Sequence, residues 1–174
     1  MSQDLKALIT NIQNGYREDP GSAKATFTSS SRLGEGFRST AKLREHTITI
    51  DEPEALGGTD AGPNPVELIL AALGSCQEIT YRAYAAALDI PLKEVRVEIE
   101  GDIDLRGFFA VDESVRPGYG AIRGTVHLVS DASAEDIAKL REIVNSHCPV
   151  LDIMSNPVPV ALEVVHEKEH AAAA

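Results

Sequence analysis

The sequence is short of positive charge, of cysteine and of long apolar runs, and each shortage removes a class of function. Lys and Arg number 16 against 27 Asp and Glu, a net charge of −11. Neither nucleic acid nor an anionic membrane is expected as a partner, because both require a basic footprint. No stretch approaches the roughly 18 consecutive apolar residues of a spanning helix. The start, "MSQDLKALITNIQNGYRED", lacks a basic segment followed by an unbroken apolar run, so it does not read as a secretory signal and a cytoplasmic location is expected. In a reducing compartment the two cysteines are not expected to form a permanent disulfide, and thiols that meet there are more often redox-active or metal-binding. Two cysteines with His147 fall short of the usual four zinc ligands, so neither a metal nor a bound cofactor is expected.

What is present suits one soluble domain. Hydrophobic residues make up 43% and charged residues 25% of 174, and a chain of this size buries about 68–70% of its unfolded surface. Leu5, Leu8, Ile9 and Ile12 stand at helical spacing within residues 1–20, with a stop at Asn14-Gly15. From 23 to 50 the Thr, Ser and Phe content, broken at "RLGEGF", predicts a β-meander. "DEPEALGGTDAGPNP" is a loop, and a helix follows to about residue 88. "KEVRVEIEGDIDLRG", "AIRGTVHLVS" and "PVPVALEVV" alternate as strands with one wet face. Between the last two, "SAEDIAKLREIVNSH" predicts a helix with Ser133 and Asp136 as a capping box and Ile137, Leu140 and Val144 facing inward. The fold class is therefore α+β, with an N-terminal helix in 1–20, a single domain over 21–168 and a flexible tail at 169–174.

The stretch "NPVELILAALGSCQEIT" raises the functional question, because it sets a thiol in the most apolar helix of the chain. Asn64, Pro65 and Glu67 predict its start as N-cap, first helical residue and capping-box carboxylate. Both faces are apolar, so the helix is expected to be buried nearly all round, in a core or an interface. Gly74 inside it costs about 1 kcal/mol relative to alanine, which makes sense where another backbone or a substrate comes close. Taken alone, Cys76 reads as a small buried hydrophobe. Cys148 stands before Pro149 in "NSHCPVLDIM", at the N-cap of another helix, where the helix dipole favours a thiolate. Spacing does not show whether the two sulfurs meet.

"DEPEALGGTDAGPNPVELILAALGSC", "VEIEGDIDLRG" and "VNSHCPV" resemble, in order, the signatures of the family of osmotically inducible protein C (OsmC) and the organic hydroperoxide resistance proteins, over residues 44–165. The resemblance implies an OsmC-like fold: curved antiparallel sheets wrapped around long central helices in an intertwined homodimer, with each site at the subunit boundary. It also implies a thiol-dependent peroxidase. Cys76 would attack an organic hydroperoxide and become a sulfenic acid, Cys148 would condense with it to a disulfide, and a dithiol or lipoyl-type reductant would restore both thiols.

One departure from the family stands out. Where its peroxidases carry a glutamate ten residues before the first cysteine, this chain has Val66. Glu67 lies about 180° around the helix from Cys76, which makes it a weak catalytic candidate and a better cap. The activating arginine implied by the resemblance is Arg38, with Arg44 as the alternative and Arg32 behind both. His147 is a candidate proton carrier, Tyr81 and Tyr84 read as packing residues, and "GFFAVDESVRPGYGAI" as a flap, with Phe108 and Phe109 in it or in the core. The loss at 66 keeps a rival in view: a non-catalytic dimer of the same fold that binds a small apolar ligand or a partner.

Overall fold

The computed structural model describes residues 2–167, so the tail expected at 169–174 lies outside the described residues. Helix α1 spans Ser2–Glu18 and leads to a meander of β1 (Ser30–Leu33), β2 (Ser39–Leu43) and β3 (His46–Ile50), paired antiparallel in that order. Helix α2 (Pro65–Ala87) follows, then an antiparallel hairpin of β4 (Glu94–Ile103) and β5 (Tyr119–Val129) with the one-turn helix α3 (Leu105–Phe108) at its tip. Helices α4 (Ala134–His147) and α5 (Pro149–Ser155) close the set. This is the α+β arrangement of antiparallel sheets and helices that the sequence predicts.

The local signals explain where α2 and β4 lie. The Asn64 side chain accepts from the Glu67 N–H at 2.9 Å and the Glu67 carboxylate accepts from the Asn64 N–H at 2.8 Å, so the capping box is complete. Along β4, Val95, Val97 and Ile99 are half-buried on the helix side, while Arg96, Glu98 and Glu100 face water. Arg123 on β5 stands opposite Glu100 and pairs with it at 2.7 Å on that outer face. The core gathers where α2, α4 and the hairpin meet: Tyr81, Ala85, Ile90, Leu140 and Val144, with Val95, Val126 and Leu128 packed against them. Leu140 and Val144 are fully buried, because the Ser133 N-cap and the heptad-like spacing turn that one stripe of α4 onto α2.

Two expectations fail, at the Asn14-Gly15 stop and over 157–165, and three open readings narrow. Helix α1 runs through Asn14-Gly15, held there by Arg17 donating to Asn14 Oδ1 at 2.7 Å and by Asp19 N–H closing on the Gly15 carbonyl at 2.8 Å. Helix α2 is buried on one face only; Ala71, Ala72 and Ile79 are exposed, Ile79 to 70%. Phe108 and Phe109 are exposed at the hairpin tip and pack edge-on against each other, so they are not core. The segment 157–165 forms no strand: its alternation has no partner among the described residues, and Val164 is 95% exposed. Nor does a backbone approach Gly74; a Cβ there would meet Ile99 Cγ1 at 3.8 Å, an ordinary contact.

The meander stands apart. Among the described residues no helix makes more than slight contact with β1–β3, whose residues are exposed apart from Ala41 and the half-buried Ser39 and Ile50. It is joined to α2 by a loop that is built around Asp51, a residue exposed to only 1%. The Asp51 carboxylate accepts from the Thr59 hydroxyl at 2.6 Å, from the N–H groups of Glu52, Thr59 and Ala61, and from no cation. Its neighbours come close enough to require glycine: a Cβ on Gly58 would lie 1.8 Å from the Glu52 carbonyl oxygen, and one on Gly62 would lie 2.3 Å from that of Thr49.

Two outcomes follow for stability. Leu140→Ala should lose about 2–5 kcal/mol in denaturant titration, whereas an effect below about 1 kcal/mol would mean that this cluster is not the core. The Thr59 hydroxyl, aided by the loop N–H groups, holds the Asp51 carboxyl at about 2 against an ordinary 3.8. A depressed pKa stabilises the fold above the ordinary value and loses that contribution as pH falls from 3.8 toward 2. Denaturant midpoints across that window should drop for the wild type and drop less for Asp51→Asn.

Candidate active site

Proline creates the bend that exposes the second thiol to the first. Pro149 bars the residue before it from helical backbone, and Cys148 accordingly sits at φ −78°, ψ 110°, ending α4 and starting α5. It is pinned from both sides: its N–H donates to the Val144 carbonyl at 2.9 Å and its carbonyl accepts from Asp152 N–H at 3.0 Å. Packing of α4 on α2 through Leu140, Val144 and Tyr81 then sets this corner beside the middle of α2.

There the sulfurs of Cys76 and Cys148 lie 3.2 Å apart across 72 positions of sequence, both as free thiols. Cys148 is 1% exposed; Cys76 is half-buried at the seam between the packed face of α2, with Leu73 and Thr80, and the exposed face, with Ala72 and Ile79. Burial pushes the Cys76 thiol up, and the neighbouring Cys148 adds to that, against the Val150 N–H and the Thr80 hydroxyl, which favour the thiolate. Among the described residues, the largest influences on it include no arginine.

The other sequence candidates are dispersed. Glu67 is spent on the capping box and Val66 lines a cavity. Arg38, in the turn between β1 and β2, donates from Nη2 to the Thr59 hydroxyl at 3.0 Å. Arg44 occupies the β2–β3 turn at φ 56° and faces Glu45 at 3.7 Å, and Arg32 is exposed on β1. His147 has Nδ1 on the Ile143 carbonyl at 2.8 Å and its ring against Tyr84. Tyr81 is core, and burial raises its hydroxyl pKa. The residue that sequence reading missed is Asp51. Its signal is an aspartate between a strand and a Gly-rich loop whose Thr and N–H groups fold back on it.

A cavity of about 610 Å³ lies between α2, the hairpin and α5, walled by Val66, Ile69, Leu73, Val97, Ile99, Ile122, Leu151 and Met154, with Arg116, Tyr119 and Asn145 among its polar members. It flanks the thiols without including them. Among the described residues, no three His, Cys, Asp or Glu side chains converge as metal ligands do, and no helix is long and apolar enough to cross a membrane.

Comparison with known proteins places this arrangement. Residues 58–163 match the family of OsmC-like proteins. Over 119 residues the chain is 28% identical to the uncharacterised protein YmaD of Bacillus subtilis, covering 66% of this chain and 75% of that one. An OsmC-like protein from Mycoplasma pneumoniae superposes with a TM-score of 0.67 at 20% identity, over 77% of this chain and 90% of that chain. The organic hydroperoxide resistance protein OsmC of Legionella pneumophila superposes with a TM-score of 0.55 at 19% identity, over 76% and 93%. With its fold shared by these structures and the match running through α2, the hairpin and both cysteines, the chain belongs to the OsmC-like family.

Proposed function

We propose that the protein is a thiol-dependent peroxidase for organic hydroperoxides, working as a homodimer. The observation that carries this reading is the 3.2 Å contact between two free sulfurs, one of them at an accessible seam. The Cys76 thiolate attacks the distal oxygen of ROOH, the O–O bond breaks, and the alkoxide leaves as ROH on taking a proton. Cys76 is then a sulfenic acid. The Cys148 sulfur attacks it, water leaves, and a disulfide remains; a dithiol reduces that disulfide by exchange and is itself oxidised. Cys148 needs no large motion to capture the sulfenic acid before it oxidises further. Apolar walls near the pair favour alkyl hydroperoxides over hydrogen peroxide, at about 0.8 kcal/mol per buried CH₂.

Dimerisation has independent support. The chain exposes 13392 Å², against roughly 8,200 Å² for a compact monomer of its mass. Obligate homodimers remove about 2,000–5,000 Å² or more at their interface. The exposed apolar face of α2, the unpacked meander and the unpaired alternation at 157–165 are the surfaces a second copy would cover. A second copy would also answer the electrostatics: burial raises the Cys76 thiol within its own chain, and a partner's meander is where the dimer reading looks for the cation that offsets this.

Val66 and the raised Cys76 thiol favour the rival reading, a dimer that binds a small apolar ligand without peroxide chemistry. Steady-state consumption of an alkyl hydroperoxide with excess dithiol separates the two. On the peroxidase reading Cys76→Ser falls to the rate of dithiol alone, and Cys148→Ser stalls after one turnover as a sulfenic or mixed-disulfide species. Equal rates for wild type and Cys76→Ser would leave the binding module.

A further inference from the structure

The side chain that fixes Arg38 is not a glutamate on α2 but a hydroxyl on the loop before it. Among the described residues Arg38 makes no ion pair, and the one hydrogen bond of its side chain runs from Nη2 to Thr59 Oγ1 at 3.0 Å. That hydroxyl has a single proton, which it gives to Asp51 Oδ2 at 2.6 Å. Its lone pair is therefore left for the guanidinium, and the direction of the chain of bonds is set: Arg38 donates to Thr59, which donates to Asp51. Both ends are held rigidly. Arg38 sits in a tight turn, its N–H on the Glu35 carbonyl at 3.2 Å and its carbonyl accepting from Gly34 N–H at 2.8 Å. The buried Asp51 carboxylate is held by three loop N–H groups, in a loop whose backbone crossings at Gly58 and Gly62 leave no room for a side chain.

We propose that Asp51 and Thr59 are positioning residues for the reactive thiol, a relay that orients the Arg38 guanidinium in place of the carboxylate absent at Val66. The inference rests on the peroxidase reading and on Arg38 as the activating arginine. A neutral hydroxyl between the two charges has a consequence that a direct ion pair would not have. It leaves most of the guanidinium donors and its charge uncommitted, available to a thiolate and to the departing alkoxide, while the distant carboxylate supplies the aim.

The test uses the full-length protein and compares Arg38→Met, Thr59→Val, Thr59→Ser, Asp51→Asn and the double variant Arg38→Met with Thr59→Val. Two quantities are read: the rate constant for an alkyl hydroperoxide, and, in a Cys148→Ser background, the pH midpoint for alkylation of Cys76. Loss of aim should lower the rate about tenfold to a hundredfold in Thr59→Val and in Asp51→Asn, and move the alkylation midpoint up toward that of Arg38→Met. Thr59→Ser, which keeps the hydroxyl, should restore most of the rate. The double variant should be no worse than Arg38→Met alone, since the relay acts only through that arginine. A Thr59→Val that matches wild type while Arg38→Met is impaired would overturn the relay and leave the peroxidase reading standing. So would a double variant whose losses multiply, because Thr59 would then act by another route. An unimpaired Arg38→Met, with Cys76→Ser dead, would remove the arginine assignment and the relay with it.

Discussion

The close approach of two thiols depends on a proline. With any other residue at 149, α4 could continue through Cys148 as an unbroken helix, and the sulfur would follow the helix surface. Pro149 forces an extended residue before it, and the corner so made is buttressed by the full burial of Val144 one turn earlier and Leu140 two turns earlier. The register of α4 on α2 thus sets the sulfur distance. Hydrophobic packing at one end of the helix pair fixes chemistry at the other.

Electrostatics supplies the second constraint. A thiol packed among apolar side chains resists ionisation, and its neighbour Cys148 deepens that resistance. Arg38, the arginine that the family resemblance favours, sits in the meander, and among the described residues no helix makes more than slight contact with those strands. On the proposed reading the two facts belong together: one subunit supplies a pocket that is poor at making thiolate, and the arm of another completes it. A thiol that is inert until assembly is protected from unwanted oxidation.

Much of the fold could be read from the residues. The capping box at Asn64, the N-cap at Ser133, Pro at the first helical positions, and the alternation of β4 all act over a few residues, so their local meaning survives in the structure; the box expected at Ser133 closes only in part, because the Asp136 carboxylate accepts from the Ser133 hydroxyl instead of its N–H. What failed was whatever needs a partner. The alternation at 157–165 needs a strand to pair with, and the second apolar face of α2 needs a surface to cover it; neither is present in one chain. Cys76 and Cys148 were candidates from their positions, but their contact lies beyond spacing, since it follows from helix packing. Asp51 was invisible because aspartates before Gly-rich loops are ordinarily solvated; only the folded loop reveals how many N–H groups converge on it. At the hairpin tip the sequence left Phe108 and Phe109 open between a flap and the core, and the turn geometry, which carries them outside, excludes the core.

The account turns on the two sulfurs reacting with each other within one chain. Counting free thiols after a single equivalent of alkyl hydroperoxide, with denaturing non-reducing mass analysis of the products, tests this directly. The account predicts that both thiols of a chain disappear together, with the mass of a single chain lowered by two hydrogens. Chains that keep both thiols, or that lose only one and become covalently linked to one another, would contradict it.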